Sequence, residues 1–209
     1  RCFPPTNLND CEILGPDYRP NIEGVVHNMK SVLHPETLMV MTLRDPVDRA
    51  FSHFAHFSPC KKEKKTKKRN YPQCFHDYVV REIDKLRTCF DLMEDPLNLE
   101  CIQLPYDFVS KEDRIVGLGV YAAFLPMWFS HFPNMCILDI VTDATNRLEG
   151  VAREFETCLG VKKPVKRITL PESHVSQAAK RDPMYDITRQ LLHKFYAPYN
   201  RLLCEIVPH

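Results

Sequence analysis

Glycine is scarce in this chain, at 6 of 209 residues, and no glycine-rich turn is seen opening a helix. A phosphate-cradling loop of the P-loop kind therefore cannot be read from it. No apolar run approaches the roughly 18 residues that a membrane-spanning helix requires. Cys-x-x-Cys does not occur, which removes the spacing of zinc ribbons and thioredoxin-type redox sites. Charge of neither sign dominates: the net value is +1, so no global field favours a nucleic acid partner. No internal repeat is visible. The chain opens at Arg1 without a methionine or a signal-like stretch. It reads as an internal piece of something longer, with any membrane anchor upstream.

Proline and cysteine are plentiful instead, at 17 and 9. Seventeen prolines against six glycines point to defined turns rather than flexible linkers, and the length suits one domain with a sizeable core. Nine cysteines without metal-ligand spacing favour disulfides and an oxidising compartment. Cys60 and Cys74 bracket the basic insert Lys61-Lys62-Glu63-Lys64-Lys65-Thr66-Lys67-Lys68-Arg69, and Cys89 and Cys101 bracket a short loop. Either bridge would staple a loop base and contribute about 3 kcal/mol. The odd total leaves at least one cysteine free or paired outside the chain. His53, His56, Cys60, Cys74 and His76 show no further ligand spacing, so no metal is expected.

The organising stretch is the apolar run Thr37-Leu38-Met39-Val40-Met41-Thr42 followed by Leu43-Arg44-Asp45-Pro46-Val47-Asp48-Arg49-Ala50-Phe51-Ser52-His53-Phe54. The run reads as a buried strand that ends at Arg44. Asp45 can cap a new helix with Pro46 as its first residue, where a missing N–H costs nothing. Val47, Ala50, Phe51 and Phe54 then recur at helical spacing. A cation at the strand tip, a hydroxyl at Ser52 and the free N–H groups of a helix start would together make an anion site. The alternative is an ordinary strand-to-helix crossover whose arginines merely solvate its ends.

Elsewhere, residues 1–20 are loop-like. A helix follows Asn21 with Ile22, Val25, Val26, Met29, Val32 and Leu33 on one face. The insert at 60–74 reads as a solvated loop or as a grip on a polyanion. Residues 74–92 read as a helix, and 114–133 as an aromatic helix carrying Tyr121, Phe124, Leu125, Trp128 and Phe132, with Pro126 kinking it or lying near its start. A second buried strand covers 135–141, followed by a helical segment that Gly160 terminates. Residues 161–182 are basic and irregular, and a last helix runs from Met184. Strand, crossover helix and strand form the signature of a parallel α/β sheet.

Arg44-x-Pro46-x-x-Arg49-x-x-Ser52 after a strand resembles the 3′-phosphate-binding segment of sulfotransferases that use 3′-phosphoadenosine 5′-phosphosulfate (PAPS), in the form found in the Golgi carbohydrate branch. Gly15-Pro16-Asp17-Tyr18, the order Gly119-x-Tyr121, Leu125, Trp128, Phe132-Pro133, and the strand and helix ending Leu159-Gly160-Val161 are similar to that family in the same succession. The ending Phe195-Tyr196-x-Pro198-Tyr199-Asn200 resembles the terminal helix of the chondroitin-type N-acetylgalactosamine 4-sulfate 6-O-sulfotransferases. The resemblance implies a P-loop-NTPase-like three-layer α/β sulfotransferase fold with a central parallel sheet. Residues 1–209 would form one partial domain, without the first strand and the 5′-phosphosulfate loop.

It further implies that Arg44 and Ser52 hold the 3′-phosphate of PAPS, that Tyr121 lies by the nucleotide, and that Lys180 and Arg181 stand where a late basic loop closes over the phosphates. The catalytic base is expected upstream of Arg1, and this segment alone is expected to be inactive. The implied whole is a disulfide-bonded glycoprotein of the Golgi lumen, a type II membrane protein acting on a glycosaminoglycan-like polysaccharide. It would use PAPS, no metal and no nucleic acid. Two other classes stay open: a non-catalytic glycan-binding relic of such a domain, and a P-loop kinase, for which no Mg²⁺ ligands are found.

Overall fold

The computed structural model describes residues 22–57, 71–103, 115–139, 156–158, 160 and 183–207. In chain order the elements are α1 (Ile22–Val32), β1 (Met39–Leu43), α2 (Pro46–Phe57), α3 (Tyr71–Met93), α4 (Leu99–Gln103), a 3₁₀ turn (Gly117–Gly119), α5 (Tyr121–His131), β2 (Met135–Asp139) and α6 (Asp186–Ile206). Residues 1–20, Asn21 and the insert between Cys60 and Asn70 lie outside the described residues, as does 161–182.

The two strands pair in parallel, Met39 opposite Met135 and Leu43 opposite Asp139, which gives the α/β character expected. The strand expected at 37–43 forms over Met39–Leu43, but it is not buried as expected. Burial alternates along β1, with Met39, Met41 and Leu43 half-buried and Val40 and Thr42 exposed. A parallel strand is buried on both faces only when helices cover both. Among the described residues β1 has one strand neighbour and one partly covered face.

The core lies where α2, α3, α6 and the segment 115–120 meet. The helical spacing of Val47, Ala50, Phe51 and Phe54 puts all four inside, and Phe54 is fully buried. Its ring centroid stands 4.8 Å from that of Phe75 and 5.6 Å from that of Tyr78, so α2 and α3 interlock through aromatic faces. Each such side chain contributes roughly 1.5–3 kcal/mol by leaving water. α5 packs on α6 and α1. It runs through Pro126 in its interior, and Phe132 is buried just past its end.

Cysteine pairing closes two loops among the described residues. Cys89 bonds to Cys101 over a separation of 12 residues, Cα–Cα 5.7 Å, as expected, and ties α3 to α4. Cys136 of β2 bonds to Cys158, a pairing the sequence did not point to. Cys74 is also disulfide-bonded, while Cys60, its expected partner, lies outside the described residues. Cys204 is free and exposed. Gly160 has φ +63° and its N–H reaches the Thr157 carbonyl at 3.2 Å, the left-handed helix end anticipated there.

Candidate functional site

Arg44 follows β1 directly and α2 begins two residues later, so strand tip and helix start share one corner. Asp45 is the N-cap. Its Oδ1 accepts the N–H groups of Val47 and Asp48, each at 2.9 Å, and its carbonyl accepts that of Arg49 at 2.9 Å. Pro46 has no N–H to offer. Every early donor of α2 is therefore already taken, and a carboxylate stands where an anion would sit. The expectation that free N–H groups at this helix start help to bind an anion is overturned: the cap that forms the helix occupies them. An anion placed at this corner would meet side chains and not backbone donors.

The two arginines of the stretch differ in their surroundings. Arg49 points inward from α2: its Nη2 donates to the Ile115 carbonyl and its Nη1 lies 3.4 Å from His53 Nδ1, while its Nε, like that of Arg44, is buried without a hydrogen-bond partner among the described residues. Arg44 is half-buried, and its Nε is buried without a hydrogen-bond partner among the described residues. A buried guanidinium N–H left unmade costs about 1–3 kcal/mol, so a ligand that accepts from it recovers that energy. Ser52 is half-buried in the second turn of α2, next to Phe51, whose ring enters the core.

Tyr121, the first residue of α5, donates its hydroxyl to the Arg44 carbonyl at 3.0 Å. Burial raises its pKa, against an opposing pull from the Arg49 charge, so the phenol stays a donor. The segment leading to it is fixed by Glu82 of α3, only 4% exposed. Glu82 Oε1 accepts the N–H groups of Val116 at 2.8 Å and Gly117 at 2.9 Å, and Oε2 accepts that of Ile115 at 3.2 Å. Tyr196, fully buried, donates to the Val116 carbonyl at 2.8 Å. Gly119 is required here: a Cβ would come within 2.6 Å of the Tyr196 hydroxyl.

A glycine-paired turn thus does open a helix, where the sequence shows no glycine-rich turn in that position. It is not a phosphate loop, because the N–H groups of Ile115, Val116, Gly117, Gly119 and Val120 all go to protein acceptors. Glu82 was missed by sequence reasoning although a signal existed. It falls four residues from both Tyr78 and Leu86, on the apolar stripe of α3. Of the expected site residues, Arg44 and Tyr121 are joined by a hydrogen bond and Ser52 lies on the adjoining helix. Lys180 and Arg181 lie outside the described residues. No group of three metal-ligating side chains is found among the described residues.

No protein-family model matches the chain, and no solved structure matches it. Among curated proteins it is similar to carbohydrate sulfotransferase 15 of Mus musculus, Homo sapiens and Rattus norvegicus. Each is 26% identical over 183 residues, which cover 83% of this chain and 30% of the relative. The chain therefore spans 30% of the length of the curated relatives it matches. In sequence the chain is thus similar to carbohydrate sulfotransferases, and it carries a parallel strand pair, an arginine at the strand tip and a proline-led helix behind it.

Proposed function

We propose that this chain supplies the 3′-phosphate clamp of an enzyme that transfers a sulfuryl group from PAPS to a hydroxyl of a glycosaminoglycan-like acceptor. The observation that carries the reading is Arg44. Its Nε–H is buried without a hydrogen-bond partner among the described residues, and its peptide is tethered to Tyr121. Arg44 would form charge-assisted hydrogen bonds to the 3′-phosphate and Ser52 would add a neutral one. Tyr121 has its hydroxyl engaged, so it would meet the nucleotide through its ring. Lys180 and Arg181 would close over the phosphates.

The scaffold for this chemistry would be a three-layer sulfotransferase fold around a central parallel sheet, with the 5′-phosphosulfate loop and the catalytic base outside this segment. In-line transfer needs a base for the acceptor hydroxyl and cations beside the bridging oxygen. Such an enzyme would work in the Golgi lumen, in keeping with the two disulfides of the described residues.

Calorimetry with 3′-phosphoadenosine 5′-phosphate on the intact protein tests the clamp. Arg44→Ala should weaken binding by about 1.5–3 kcal/mol and Ser52→Ala by about 0.5–1.5 kcal/mol. Adenosine 5′-phosphate, which lacks the 3′-group, should be held equally by all three proteins. Unchanged affinity for the bisphosphate in Arg44→Ala would reject the clamp. Transfer of labelled sulfate from PAPS to a panel of glycosaminoglycans would identify the acceptor.

A further inference from the structure

Glu82 is the single buried carboxylate among the described residues, and the clamp described above makes no direct use of it. It accepts three consecutive N–H groups, those of Ile115, Val116 and Gly117. The opposite, carbonyl edge of the same peptides is held by Arg49 at Ile115 and by Tyr196 at Val116. A carboxyl group on the N–H edge and a guanidinium on the carbonyl edge thus grip one short stretch of backbone from both sides. The stretch is then carried rigidly forward, with Gly119 N–H on the Val116 carbonyl at 2.9 Å and Val120 N–H on the Gly117 carbonyl at 3.0 Å. The next residue is Tyr121, whose hydroxyl fixes the carbonyl of Arg44. An unbroken path of hydrogen bonds and peptide units leads from Glu82 to the strand tip.

We propose that Glu82 is a positioning residue for Arg44. By fixing the 115–120 segment it sets where the Tyr121 hydroxyl stands, which sets the peptide plane after Arg44 and so the direction in which the guanidinium leaves the strand. The inference rests on the clamp reading, since it assigns Glu82 to the geometry of that site. A carboxylate is a costly group to bury. Three aligned N–H acceptances and a cation across the peptide explain how it is tolerated here. A neutral acceptor would hold the turn less tightly, and its amide nitrogen would face an N–H.

The test compares 3′-phosphoadenosine 5′-phosphate with adenosine 5′-phosphate by calorimetry on the intact protein, in wild type, Glu82→Gln, Tyr121→Phe, the double variant and Arg44→Ala. Glu82→Gln should lower affinity for the bisphosphate roughly 2- to 30-fold, the range for residues acting on a site through packed neighbours, and leave the monophosphate unchanged. The double variant should lose no more than the worse single one, because both changes break the same path. If Glu82→Gln does not accumulate in folded form, Tyr196→Phe loosens the same segment from its carbonyl edge and must show the same selective loss. A purely structural Glu82 would lower the melting temperature and leave the ratio of the two affinities intact, which overturns the proposal. Additive losses in the double variant would overturn it as well. Loss of discrimination in Arg44→Ala with none in Glu82→Gln rejects only this inference. No loss in Arg44→Ala rejects the clamp, and the inference with it.

Discussion

At the scale of the residue, the buried carboxylate of Glu82 has a consequence that can be titrated. Burial pushes its pKa above the ordinary value of 4.5, and the hydrogen bonds from Gly117, Val116, Tyr78 and Ile115 pull back without reversing the shift. A carboxyl whose pKa is higher folded than unfolded binds its proton more tightly in the native state. Its contribution to stability is fully present below the unfolded value and is lost as pH rises through the folded one. Urea unfolding of wild type should therefore lose stability relative to Glu82→Gln as pH is raised from below 4.5 toward neutrality. A difference between the two proteins that stays flat with pH would contradict the upward shift. Sequence reading stopped short of this residue because it registers a glutamate in a helix as a surface group. Its position on the apolar stripe was the sole indication to the contrary.

Among the elements, those with a strong period were legible and those built by tertiary contact were not. α1, α2, α3 and α6 carry their apolar residues at helical spacing over three turns or more, and each formed close to where the spacing put it. β1 was located correctly and its environment was not, because a run of large apolar residues gives no sign of which face is covered. The 3₁₀ turn at 117–119 has no period at all. It exists because Glu82, Arg49 and Tyr196 converge on it from three helices or helix faces. The stretch from Arg44 to Ser52 showed the same division. Arg44, Asp45, Pro46 and Ser52 could be named from the chain, but that Asp45 itself fills the helix start follows only from its distances to Val47 and Asp48. The Cys89–Cys101 bridge was legible from spacing alone, since it closes a short local loop between α3 and α4. Replacing both cysteines by serine should lower unfolding free energy by about 3 kcal/mol. Differential scanning calorimetry that finds no drop in melting temperature would show the bridge to be dispensable.

For the molecule as a whole, the ties that build the strand tip are all far apart in sequence. Tyr121 reaches back 77 residues to Arg44, Tyr196 reaches 80 to Val116, and Arg189 reaches 141 to pair with Asp48 at 3.0 Å. That last pair is partly exposed and contributes at most about 1 kcal/mol by itself. Together the three contacts join α6, α5, α2 and β1, so the corner exists only while the distant parts of the chain stay assembled. Occupancy of that corner is therefore paid into the entire fold, not into one piece of it. With 3′-phosphoadenosine 5′-phosphate at a hundred times its dissociation constant, about 2.7 kcal/mol should appear as a rise in one melting transition. The far-ultraviolet signal of the helices and the aromatic signal of the core should move upward together. Helices that melt at an unaltered temperature while the core signal shifts would mean that the strand tip is held by its neighbourhood alone.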